Sequence, residues 1–162
     1  MKAINQMDDY NVELHHKYWL DKVAAGCGDS EWWKPVKGYE GFYEVSDYGN
    51  VRSLPRDTKV RDMHRASVQH DETWHRKGKI LTPLNMSSSP NHRYWYVRLT
   101  RSDGTSRTTV AIKKLVAETF FNYDGPSCNI KHIDGRADDC SAPNLIIVNK
   151  VQREIFSMAE SK

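Results

Sequence analysis

The stretch from Cys128 to Arg153 constrains this 162-residue chain more than any other. Ile130 to Ile133 is a short apolar run carrying His132, and Asp134-Gly135 supplies the left-handed turn chemistry that reverses a strand. Leu145 to Val148 is a second apolar run of the right length to pair back on the first. Asn149 then stands as an N-cap for a helix over 151–159, with Ile155 and Met158 or Ala159 marking one face. Strand, loop, strand and helix follow in that order.

With 38% hydrophobic residues, the chain suits one compact domain or two small dependent ones. It has no apolar run of about 18 residues, and its first thirty residues lack a secretory pattern. A soluble, unexported protein of the cytoplasm is expected, with no membrane partner. Cys27, Cys128 and Cys140 are widely spaced with no C-x-x-C pair, which suits structural thiols in a reducing compartment and gives no zinc-finger signature. The net charge of +3 is unevenly spread: residues 31–115 carry +7 and each flank carries −2. A cationic middle is what a protein gripping phosphate backbones shows, although a solvated surface shows it too.

Residues 6–25 predict a helix, with Met7, Tyr10, Leu14 and Tyr18 at helical spacing and Trp19 and Val23 widening the stripe. Adjacent His15 and His16 point about 100° apart, which suits surface histidines rather than a shared metal. The helix is expected to pack on its own domain or on a second protein. From Trp32 onward the chain turns aromatic and β-favouring. Phe42 to Asp47 alternates, Asp47-Tyr48-Gly49-Asn50 turns, and Val51-Arg52-Ser53 returns, which makes a small hairpin. Residues 55–78 predict a long polar loop in which Arg56, Lys59, Arg61, Arg65, Arg76 and Lys77 could order on a phosphate backbone. His64, His70 and His75 lie there without ligand spacing. Lys79 to Leu84 predicts a strand. Tyr94 to Thr100, with Trp95, Val97 and Leu99 on one face, predicts another that pairs with Ser106 to Ala111 through a turn at 102–105.

His132-Ile133-Asp134-Gly135, with Asn144-Leu145 twelve residues after the histidine and Leu115-Val116-Ala117-Glu118-Thr119-Phe120 before it, resembles the HNH endonuclease family of phage and intron-encoded nucleases. The segment Trp33-Lys34-Pro35-Val36 and the run from Gly38 to Ser53 are similar to the short module that commonly precedes this nuclease class. Together the two likenesses cover about residues 32–153. They imply an α+β fold of small β-hairpins with a C-terminal HNH-like ββα unit. With the helix read from spacing at the N-terminus, the expected division is an amphipathic helix over 1–30, a basic β-rich DNA-binding module over 31–111 and a nuclease-like unit over 112–162. The resemblance also implies a helix over Ile112 to Phe121, with Lys113 where the family often has a histidine. Duplex DNA is the implied substrate. Its expected contacts are Arg52, Arg56, Arg61, Arg76, Lys77, Lys79, Arg98 and Lys113.

Hydrolysing a phosphodiester needs an activated water, charge stabilisation at the phosphoryl oxygens and help for the leaving 3′ oxygen. HNH enzymes divide this among a histidine base, a divalent metal and an asparagine that holds the histidine's loop or orientation. By resemblance His132 falls on the base and Asn144 on the asparagine, while the ligand positions hold Lys131 and Arg153. Neither is a normal ligand: an ammonium about 5 Å from a divalent ion, at an effective dielectric near 20, repels it by roughly 6 to 7 kcal/mol. No resident metal cofactor is therefore expected. Three readings stay open. Lys131 and Arg153 replace the ion at the scissile phosphate; or the fold binds DNA or a host protein without turnover; or Asp134, Asp138 or Asp139 recruits a displaced Mg²⁺. In a regular strand Lys131 and His132 face opposite sides, so the first reading asks for a twist or bulge there.

Overall fold

The computed structural model describes residues 7–59, 73–88, 93–101 and 106–148. Arg61, His64, His70, the turn at 102–105, Asn149 and the helix expected over 151–159 with Arg153 lie outside the described residues.

Helix α1 spans Asp9–Ala24. The Asp8 carboxylate accepts from the Asn11 backbone N–H at 2.9 Å, satisfying one of the N–H groups that the first turn leaves without a partner. The face turned inward is not the expected apolar stripe. Asn11, His15, Tyr18 and Lys22, at i, i+4, i+7 and i+11, are buried, whereas Tyr10, Trp19 and Val23 are exposed at 54%, 42% and 64%. Of the expected stripe, Tyr18 is buried and Leu14 packs partly against the core.

The physical reason lies in what α1 meets. Asn11 Nδ2 donates to the Ile147 carbonyl and Asn11 Oδ1 accepts from the Ile147 N–H, both at 2.8 Å. His15 Nε2 lies 2.7 Å from the Leu145 carbonyl oxygen. A strand edge presents backbone polar groups, and a helix covering it must bring partners for them. His15, expected at the surface, is therefore buried, and burial pushes its pKa down. His16 is exposed, as expected.

Eleven short strands follow among the described residues: β1 (Trp33–Pro35), β2 (Tyr43–Ser46), β3 (Val51–Ser53), β4 (Arg56–Lys59), β5 (Thr73–Arg76), β6 (Lys79–Ile80), β7 (Leu84–Asn85), β8 (Trp95–Thr100), β9 (Arg107–Ala111), β10 (Ile130–His132) and β11 (Leu145–Ile147). Helix α2, Ile112–Phe120, lies between β9 and β10 and matches the expected span to within one residue. All pairings are antiparallel, in sheets ordered β1-β2-β3-β6, β4-β5, β7-β8-β9 and β10-β11. The architecture is α+β, as the resemblance implies.

Two expectations need correction. Residues 55–78, read as a loop, contain a two-stranded ribbon in which β4 and β5 pair from Arg56↔Arg76 to Lys59↔Thr73. All of β5 is exposed, so no inward face imposes the alternation that would mark it in the sequence. The single strand expected over Lys79 to Leu84 is split: β6 joins the edge at β3 and β7 pairs with β8. Pro83 sits at the break, where a missing N–H ends ladder pairing.

One apolar core gathers Tyr18 from α1, Val45 and Val51 from the first sheet, Leu99 from β8, Val116 from α2 and Leu145 from β11. On α2 the buried set is Ile112, Leu115, Val116, Ala117 and Phe120. Beside that core lies a polar fastening at Asp47, expected only to shape a turn. Asp47 is fully buried; its Oδ2 accepts from Tyr18 Oη at 2.5 Å and Lys22 Nζ at 2.6 Å, and its Oδ1 from the Trp32 N–H at 2.8 Å. The Asp47 carbonyl accepts from the Ala142 N–H at 2.7 Å. In the same turn Gly49 has φ 86°, and a Cβ there would lie 3.2 Å from the Cys140 carbonyl group. Glycine thus lets the hairpin turn touch the loop that leads into β11.

Among the described residues no helix is long and apolar enough to cross a membrane.

Candidate active site and nucleic-acid interface

Strands β10 and β11 pair as Ile130↔Ile147, Lys131↔Ile146 and His132↔Leu145. The reversal follows at once: Gly135 has φ 73°, its N–H donates to the His132 carbonyl at 3.2 Å, and the Arg136 N–H donates to Asp134 Oδ1 at 2.7 Å. Asn144 closes the loop from the far side. Its Nδ2 donates to Asp134 Oδ1 at 3.0 Å and to the Asp139 carbonyl at 2.8 Å, while its Oδ1 accepts from the Asp134 N–H at 3.3 Å. The amide thereby holds the backbone that follows His132. Its hydrogen bonds go to the loop and not to the imidazole.

His132 is half-buried in a depression of about 210 Å³, part of it open to solvent, whose walls include Tyr94, Trp95, Tyr96, Lys113 and Cys140. Cys140 Sγ lies 3.8 Å from His132 Nε2. Lys113 Nζ donates to the Ile130 carbonyl at 3.2 Å. Desolvation, followed by the Lys113 charge, pushes the His132 pKa down to about 4 against the opposing pull of Asp134, Asp139 and Asp138. The imidazole is therefore neutral at pH 7, with a lone pair to accept a proton. Burial and the neighbouring Lys131 also lower the Lys113 pKa. Burial raises the Cys140 thiol to about 11, so at neutral pH it is a thiol and not a thiolate nucleophile.

The three β10–β11 pairs are consecutive, without a bulge, so Lys131 and His132 take opposite faces. Lys113, and not Lys131, shares the depression with His132. The described residues around His132 do not by themselves make a donor set for a divalent cation. Among the described residues no three His, Cys, Asp or Glu side chains converge, Asp134 Oδ1 already takes two hydrogen bonds, and an ammonium occupies the wall.

Lys113 lines the His132 depression, and the other expected DNA contacts fall into three groups. Arg52 Nη2 pairs with Glu44 at 2.5 Å and its guanidinium lies 4.1 Å from the Trp33 ring centroid. Arg56 stacks over Phe42 and Tyr43 at 5.2 and 5.3 Å, with Nη1 buried and lacking an acceptor among the described residues. These two cations are partly committed inside the fold. Arg76, Lys77, Lys79 and Arg98 are exposed, and Arg61 lies outside the described residues. His75 pairs with Asp57 at 2.7 Å on the exposed ribbon. All three cysteines are free thiols. Sequence reasoning missed Cys140 and the walls from Tyr94 to Tyr96 as neighbours of His132. The run of three aromatics was the available signal.

Residues 31–100 match the NUMOD4 motif. No curated protein matches the chain. Among solved structures, one describing DNA binding and cleavage by the HNH homing endonuclease I-HmuI is similar, with a TM-score of 0.53 and 25% identity over 80% of this chain. The match spans 59% of that protein. This chain thus carries a NUMOD4 motif at residues 31–100 and shares its fold with an HNH homing endonuclease.

Proposed function

We propose that this protein binds duplex DNA and hydrolyses a phosphodiester, with His132 as general base and without a resident metal. One observation carries the reading: a neutral, solvent-reachable imidazole and a lysine ammonium share one depression, beneath a loop that Asn144 pins. The NUMOD4 motif and the likeness to I-HmuI support DNA as the substrate. In the reaction His132 takes a proton from water as the water oxygen attacks phosphorus. Lys113 offers charge and hydrogen bonds to a non-bridging oxygen. The bond to O3′ breaks, and that oxygen leaves with a proton from solvent. Arg153 remains a candidate for a further contact to the phosphate, whereas Lys131 takes the face of β10 opposite His132. A base with a pKa of about 4 is weak, but an anionic phosphate brought beside His132 raises it toward the working range.

The second reading is DNA binding without turnover, favoured by the low basicity of His132 and by the lysine in its pocket. Supercoiled plasmid separates the two. Nicking in excess EDTA that His132→Ala abolishes supports the metal-free enzyme. Nicking that appears only with Mg²⁺ or Mn²⁺ points to a displaced ion near Asp134, Asp138 or Asp139. Binding without nicking under any condition leaves only the second reading.

A further inference from the structure

The basic residues of this chain are not equally available, and the outer face of the β7-β8-β9 sheet holds two with no committed role. Antiparallel register puts Tyr96 beside Ala111, Arg98 beside Thr109 and Thr100 beside Arg107. Val97 and Leu99, on the intervening positions, point into the core. Arg98, Thr109 and Arg107 therefore share the outward face and are exposed. Unlike those of Arg52 and Arg56, the side chains of Arg98 and Arg107 have no ion pair or ring contact among the described residues. Diagonal neighbours such as Arg98 and Arg107 lie about 7 to 8 Å apart, comparable to the spacing of successive phosphates along a nucleic-acid strand. The same face ends at Tyr96 and Ala111, which line the His132 depression together with Lys113 at the start of α2.

We infer that this face is a phosphate track: Arg107 and Arg98, with the Thr109 hydroxyl between them, hold two successive backbone phosphates of one DNA strand and lead it to His132 and Lys113. The inference rests on the proposed DNA-binding function and adds the path of the strand. A chain whose only available cations were scattered would make no such line. Here the strand geometry sets them in a row aimed at the pocket, while Val97 and Leu99 on the other face pack into the core.

The test is binding of a fluorescein-labelled 30-base-pair mixed-sequence duplex as a function of NaCl. Each phosphate contact contributes about 0.9 to the slope of log affinity against log salt. Arg98→Ala/Arg107→Ala is expected to lower the slope by about 2, whereas Arg98→Lys/Arg107→Lys keeps it because point charges also release counterions. Lys17→Ala removes a charge from an exposed position on α1, outside residues 31–111, and leaves the slope unchanged. If the alanine pair keeps the wild-type slope, or the lysine pair loses it, the track is wrong and DNA binding stands. A wild-type protein without salt-dependent affinity for the duplex overturns both.

Discussion

Removing the carboxylate of Asp47 should do more damage than any other single polar change in this fold. Lys22 and Asp47 are 1% and 0% exposed and 2.6 Å apart. Asp47→Ala leaves the ammonium buried without a counter-charge and strips an acceptor from Tyr18 Oη and the Trp32 N–H. Breaking a buried pair from one side costs about 3 to 5 kcal/mol. The Trp19 and Tyr48 rings, 5.4 and 5.1 Å from Lys22 Nζ, offset part of this by up to about 2 kcal/mol. The lost acceptors add about 1 to 3 kcal/mol, so a net loss of about 4 kcal/mol is expected, a large share of a typical 5 to 15. Lys22→Met should cost less, about 2 to 3 kcal/mol, because the carboxylate keeps two donors. The double variant should then fall short of the sum by about 1 to 3 kcal/mol. Urea unfolding of the four proteins measures this, and repeating it in 1 M NaCl should change little because the pair is shielded from salt. Single-variant losses that add to within about 0.5 kcal/mol would refute the coupling.

Acid should weaken the protein through His132. Its folded pKa of about 4 lies below the ordinary 6.5, so the unfolded chain takes the proton first and stability falls as pH drops from 6.5 toward 4. The full shift corresponds to about 3 kcal/mol, and partial exposure reduces it to about 1 to 2. His132→Asn should remove that part of the loss between pH 7.5 and 4.5, leaving the same-signed contribution of His15; an unchanged pH dependence would contradict the assignment. Asn144→Ala deletes three hydrogen bonds to the loop and should cost about 1 to 3 kcal/mol in urea unfolding, with faster amide exchange at Asp134. Undiminished protection at Asp134 would show that something else holds the loop. Gly78→Ala would place a Cβ 2.5 Å from the Ser53 carbonyl oxygen, forcing β3 and β6 apart at about 1 to 3 kcal/mol. A melting temperature equal to wild type would show that this edge yields freely.

Much of the fold was legible because local chemistry dictated it. The Asp134-Gly135 reversal needs only a left-handed glycine and the Val97/Leu99 alternation needs only one inward face, whereas α2 was expected from the resemblance. The face of α1 was not legible. Asn11, His15, Tyr18 and Lys22 do have helical spacing, but a hydrophobicity pattern ignores polar residues, and apolar Trp19 and Val23 pulled the expected stripe about 100° the wrong way. The β4-β5 ribbon was hidden for a related reason, since a strand exposed on all sides writes no alternation into its sequence.

At the site, the chain's own residues determined that His132 would precede a tight reversal and that Asn144 would stand where β11 returns. Only the tertiary structure decided that Lys113, nineteen positions before the histidine, enters its pocket and helps hold it neutral. It also decided that Arg52 and Arg56 turn to aromatic rings while Arg98 and Arg107 stay outward. Backbone preference depends on a residue and its nearest neighbours. The fate of a buried charge depends on which distant carbonyl, carboxylate or ring is brought against it, and helical or strand periodicity does not encode that partner.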